Sequence, residues 1–157
     1  MKIKFILLVA LFALLPLSVT AQFYKAKKVA ITEVVDASGK VSEATKKLFR
    51  TTLIDAITNS ESYEAYTQIS FVSLELNFDK TGNIASSTFE YVKQQEMSYI
   101  LVSKISPIGK NLLLLSAQII ETSTGKIVAS SSVNTNTKSS SLRKASKQLS
   151  NKLLNSI

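Results

Sequence analysis

Residues 99–133 read YILVSKISPIGKNLLLLSAQIIETSTGKIVASSSV, and this stretch decides the fold. Two apolar runs, Tyr99–Ile105 and Leu112–Ile120, are separated by Pro107-Ile108-Gly109-Lys110-Asn111, a cluster of turn formers that predicts a hairpin. Lys126–Val133 follows the Ser123-Thr124-Gly125 turn as a third strand. Three consecutive strands with tight turns make an antiparallel meander. Unbroken apolar runs such as Leu112 to Leu115 imply that helices cover the sheet on at least one face.

Upstream, Lys28–Asp36 (KVAITEVVD) is rich in β-branched residues and ends in the turn-like Asp36-Ala37-Ser38-Gly39, so it reads as a strand. From Ser42 to Ser60 the period changes. Ala44, Leu48, Leu53, Ala56 and Ile57 share one side of a helix, with Ser42 as its N-cap, Glu43 in its first turn and Asn59-Ser60 at its end. Tyr63–Ser70 alternates as a short strand. Phe71–Phe78 fits a helix or a strand equally, and Thr81-Gly82-Asn83 closes it as a turn. Ser86 or Ser87 then caps a helix through Glu96 that packs Phe89 and Val92 inward. Beyond the meander, Asn134–Ser141 is a polar linker. Leu142, Ala145, Leu149 and Leu153 form the apolar stripe of a C-terminal amphipathic helix whose other face carries Arg143, Lys144, Lys147 and Lys152. The expected class is α+β (mixed α/β), with helices packed on a partly antiparallel sheet.

The N-terminus has the layout of a secretory leader. Lys2 and Lys4 precede an apolar run from Phe5 to Leu17, and Pro16 and Ser18-Val19-Thr20-Ala21 lead to Gln22. Residues 1–21 therefore read as a signal peptide cleaved after Ala21, and 22–157 as a single periplasmic domain. The apolar run is shorter than the roughly 20 residues that a transmembrane helix needs. With no cysteine in the chain, leader acylation, disulfides and thiolate chemistry are all excluded, so packing alone must stabilise the fold. Residues 22–157 carry 17 Lys and Arg against 11 Asp and Glu, a net +6 whose charges look scattered along the chain.

The chain has no histidine, the commonest general base and metal ligand. Among the acids, Asp36, Asp55, Glu75, Asp79 and Glu90 show no pairing of the kind carboxylate catalysis needs. Asp36 ends a strand where sites collect, yet turn preferences favour an Asx turn with Ser38 and Gly39. Ser139-Ser140-Ser141 has only Lys144 or Lys147 as a conceivable base and reads better as a helix cap. Gly39, Gly82, Gly109 and Gly125 are isolated turn glycines outside any phosphate-binding loop. No catalytic, cofactor-binding or metal-ligating residue is assigned, and no enzyme activity or cofactor is expected. Tyr63, Tyr66, Tyr91 and Tyr99 are interface anchors or, more commonly for such positions, core.

Lys28-Val29-Ala30-Ile31, the helical Lys47–Leu53 and Tyr63–Ile69 are joined by Phe78-Asp79-Lys80-Thr81-Gly82 before a helix. Tyr99-Ile100-Leu101-Val102 and the Thr122–Lys126 turn complete a pattern over about residues 28–135. It resembles the domain shared by LpoB-type penicillin-binding-protein activators and curli-secretion (CsgG-like) proteins. The resemblance implies a periplasmic, non-catalytic α/β domain that contacts other envelope proteins. Those proteins are typically lipoproteins, whereas this chain has no cysteine, and it is too short for the long hairpins of a secretion channel. The expected partner is therefore an envelope protein, with no nucleic acid, peripheral membrane contact at most, and the oligomeric state left open. The alternative is a soluble binder of an anionic envelope ligand such as peptidoglycan or a lipid headgroup.

Overall fold

In the computed structural model, residues 25–36, 38–67 and 86–157 are described. The expected leader, the Phe71–Phe78 segment and the turn at Thr81-Gly82-Asn83 lie outside them. The elements run β1 (Lys27–Val35), α1 (Glu43–Thr58), β2 (Tyr63–Tyr66), α2 (Ser86–Gln94), β3 (Tyr99–Gly109), β4 (Leu112–Glu121), β5 (Ile127–Asn136) and α3 (Ser139–Leu154). They form one five-stranded sheet in the order β2-β1-β3-β4-β5. β1 lies parallel to both β2 and β3, while β3, β4 and β5 make the antiparallel meander read from the sequence.

The meander is longer than its apolar runs. β3 continues through Pro107 to Gly109, which leaves only Lys110 and Asn111 as the turn. β1 stops at Val35 opposite Lys104, so Pro107 sits on a part of β3 bordered by β4 alone, where a missing N–H is tolerated. β5 likewise runs on to Asn136, with Asn134, Thr135 and Asn136 paired to Leu114, Leu113 and Leu112. Backbone pairing along β4 overrides the weak strand propensity of the two asparagines. The expected linker at 134–141 shrinks to Thr137 and Lys138, because Ser139–Ser141 already form the first turn of α3. The residue at the α3 N-cap is Lys138, with no side-chain cap bond.

Side-chain alternation splits the core between the two faces of the sheet. On one face α1 and α3 cover Val29, Ile31, Leu101, Ile105, Leu115 and Ile119. α1 buries Phe49, Leu53 and Ile57, whereas Ala44 is exposed. The helix is thus turned so that its largest apolar side chain, not its alanine, leaves water. Its start is as read: Ser42 Oγ accepts from Thr45 N at 3.3 Å. α3 docks Leu142, Ala145, Leu149 and Leu153, and its buried Ser146 and Ser150 hydroxyls donate to the Leu142 and Ser146 carbonyls at 2.7 and 2.8 Å. On the other face α2 packs Phe89 and Val92 against Ala30, Ile100 and Ile120.

Two local devices hold this arrangement. Between Ile31 and Val34 the β1–β3 register slips, a bulge that frees main-chain carbonyls from the ladder. Arg50 of α1 donates from Nε to Thr32 O (3.3 Å) and from Nη2 to Ile31 O (3.5 Å), and pairs with Glu33 at 3.3 Å. At the end of α2, Glu96 adopts φ +56°. Met97 N donates to Val92 O and Glu96 N to Lys93 O, while Val92 and Met97 bury together, a Schellman closure with glutamate at the usual glycine position. Thr122 at the end of β4 ties down the next connection, its hydroxyl donating to the Met97 and Ser98 carbonyls.

Arg50→Met should lower unfolding free energy by about 1.5–3 kcal/mol, since charged donors to buried carbonyls are lost. Glu33→Gln should change it by less than about 0.5 kcal/mol, because that carboxylate is mostly exposed. Equal losses in denaturant titrations would show that the ion pair, not the carbonyl contacts, matters. Glu96→Gly should raise stability by about 0.5 kcal/mol through relief of the left-handed conformation, read in the same titrations.

Candidate functional site

Of the five carboxylates the sequence offers for chemistry, the three among the described residues are kept apart. Asp36 lies in the β1–α1 connection, Asp55 on the outer side of α1, and Glu90 on α2 across the sheet. Glu75 and Asp79 lie outside the described residues. Among the described residues no group of three or more acidic, histidine or cysteine side chains is placed to hold a metal ion.

Asp36 is held by hydrogen bonds to both carboxylate oxygens. Its Oδ1 accepts from Ser38 N at 3.0 Å and Ser38 Oγ at 2.6 Å, and its Oδ2 from Val41 N at 2.8 Å. This is the Asx turn expected from the sequence, completed by Gly39 at φ +63° and extended to Val41. The Ser38 hydroxyl holds the carboxyl below its ordinary pKa, helped by the Val41 and Ser38 amides and by Lys46. The group organises the entry to α1.

Two grooves flank the α1–α3 layer. One, of about 760 Å³, opens where the C-terminal ends of both helices meet the start of β2, between Asp55, Asn59 and Tyr63 on one side and Lys147, Asn151 and Asn155 on the other. The second, of about 500 Å³, lies between the start of α1 and the β3–β4 hairpin, and Lys40, Ser42, Thr45, Lys110 and Thr137 line it. The two helices therefore run in the same direction, with both N-termini toward the hairpin. Their positive dipole ends and two lysines share that end of the molecule.

The tyrosines do not form one patch. Tyr99 is buried in the first core, and Tyr63 packs on it edge-to-face with ring centroids 6.1 Å apart. Lys27 lies over the Tyr99 ring and donates to its hydroxyl at 3.0 Å. Tyr66 and Tyr91 pack on the second core, and Lys28 covers the Tyr66 ring. All four thus serve packing, on both sides of the sheet.

Among the described residues, exposed large apolar side chains occur in two places. Ile108 and Leu112, 49 % and 50 % exposed, sit at the tip of the β3–β4 hairpin, and Ile127 and Val128 begin β5.

The fold also gathers charge that looked scattered in the sequence. Residues 22–121 hold 11 basic and 11 acidic residues, whereas 122–157 hold six basic residues and no acidic one. Those 36 residues are β5, α3 and their connections, which pack together at one edge of the sheet. The basic excess of residues 22–157 is thus carried by the segment that forms β5 and α3. The signal was readable as a one-sided count, but its meaning depended on β5 and α3 being neighbours in space.

No protein-family model and no curated protein matches this chain. Its fold is shared with solved structures. TolB from Acinetobacter baumannii superposes with a TM-score of 0.58 at 12 % identity over 84 % of this chain, which spans only 28 % of the TolB chain. The subunit of the PelC dodecamer from Paraburkholderia phytofirmans gives 0.56 at 13 % identity, covering 83 % of this chain and 86 % of PelC. The LpoB C-terminal domain from Salmonella enterica gives 0.54 at 19 % identity, covering 71 % of this chain and 83 % of that one. The chain thus has an LpoB-like α+β fold, and at these identities the likeness is one of fold.

The Asp36 turn makes a prediction about pH. A carboxyl whose folded pKa is depressed contributes stability fully above its unfolded value of 3.8, and that contribution is lost as pH falls through the lower folded value. Asp36→Asn should therefore be less stable than the parent at about pH 7, with the gap closing toward about pH 3, measured by urea unfolding. A gap independent of pH would contradict this role.

Proposed function

We propose that this chain is an exported, non-catalytic accessory or assembly protein of the cell envelope that docks on another envelope protein. The observation that carries the reading is the pair of half-exposed apolar side chains at the hairpin tip, Ile108 and Leu112, on strands that reach past the end of β1. Apolar residues held out on a paired hairpin favour association over solubility. The leader-like residues 1–21 and the lack of histidine and cysteine support the same reading. So does the fold shared with the LpoB C-terminal domain and with a protein that assembles as a PelC dodecamer. Penicillin-binding-protein activation is one form this role takes in the proteins the sequence resembles.

A second reading, a soluble binder of peptidoglycan or anionic lipid headgroups, draws on the basic flank formed by β5 and α3. Such binding would weaken steeply with salt.

The test is in-cell photo-crosslinking of the full chain from positions 108 and 112. The expected outcome is a discrete adduct with one envelope protein, lost in Ile108→Asp and Leu112→Asp variants that keep the parent's thermal stability. The exported form should begin at Gln22 by mass. Absence of any protein adduct, together with salt-sensitive sedimentation with peptidoglycan or anionic vesicles, would reject docking in favour of the second reading.

A further inference from the structure

β5 is an edge strand with unusual properties for one. It spans ten residues, IVASSSVNTN, with no charged residue and no proline, and β4 is its only strand neighbour among the described residues. Natural edge strands are commonly kept short or blocked by charge, because their outer N–H and C=O groups are ready to pair. Among the described residues the opposite edge follows that rule: β2 has four residues and carries Glu64. β5 does not.

The surroundings of the β5 edge give the chemistry of what it would pair with. Lys147, Asn151 and Leu154 of α3 line grooves toward α1, so the helical period puts Ser141, Gln148 and Lys152 on the other flank, beside β5. Lys126 precedes the strand and Lys138 follows it, both exposed. No Asp or Glu occurs from 122 to 157 to neutralise them. Ile127 and Val128, exposed at the start of the strand, offer apolar contact to alternate side chains of a paired segment.

We propose that the free edge of β5 accepts an extended acidic segment of the partner protein as a sixth strand. Main-chain hydrogen bonds supply the pairing, and Lys126, Lys138 and Lys152 select carboxylates. The proposal rests on the docking reading above and assigns it a surface and a ligand chemistry. A second copy of this chain is a poor occupant, because edge-to-edge pairing would set two basic flanks against each other. A membrane surface is disfavoured because α3 has no aromatic residue to insert.

The test uses the chain from Gln22 to Ile157 and a fluorescent ten-residue peptide alternating valine and glutamate, matched to the length of β5. Anisotropy should show saturable binding that weakens about tenfold or more between roughly 50 and 300 mM salt. Binding should fail for the lysine counterpart and for the glutamate peptide N-methylated at alternate residues, which cannot complete the ladder. Ser132→Glu, and Lys138→Glu combined with Lys152→Glu, should each weaken it by about tenfold or more, with circular dichroism unchanged. Amide exchange should slow along β5 and not along β2.

Equal binding of the N-methylated peptide would reduce the effect to charge and overturn strand addition. No saturable binding, indifference to Ser132→Glu, or binding only to phosphatidylglycerol vesicles would overturn it as well, as would dimerisation of the free chain through β5. Because the peptide assay reads the edge itself, its failure alongside a discrete adduct from position 108 rejects the edge and leaves docking standing.

Discussion

Val29, Ala30 and Ile31 are each at most 1 % exposed, so β1 has no solvent side at its centre. Everything else is arranged around that burial. Alternate side chains of one strand serve two cores, which obliges α1 and α3 to cover one face and α2 the other. Parallel pairing to β2 and β3 in turn requires crossover connections, and these place the helices. The bulge after Ile31 is the weak point of this strand. Arg50 repairs it by supplying donors from the helix that the same strand feeds.

The core also holds buried hydroxyls. Ser103, fully buried in β3, has a hydroxyl with no hydrogen-bond partner among the described residues. Ser146 and Ser150 are buried as well, but return their protons to their own helix. Small residues such as Ala117, Ala145 and Ser146 in this layer let α3 lie close to the sheet.

The surface has an equally uneven plan. Acidic and basic residues balance over residues 22–121, and the excess lies on α3 and on the connections that flank β5. The hairpin tip offers apolar area, and the β5 edge offers backbone groups framed by lysines. These are separate surface features, one at the end of the sheet and one along its side.

Much of the fold was legible in one dimension. Apolar runs and turn residues located the meander, the Ser42 cap located α1, and the Leu142–Leu153 stripe located α3, because strand and helix periods are local properties of the chain. The Asp36 turn was legible for the same reason. Element lengths were not, since whether Asn134–Asn136 or Pro107 joins a strand depends on what lies alongside, and that is set by β4 and by where β1 stops. The side of α1 that is buried, the bulge clasp of Arg50 and the exposed hairpin tip likewise depend on partners distant in sequence. Charge shows the division most plainly. The sequence by itself determined that 122–157 carries no acid, whereas only the packing of β5 beside α3 turned that count into a basic flank along an open strand edge, because a field adds in space and not along the chain.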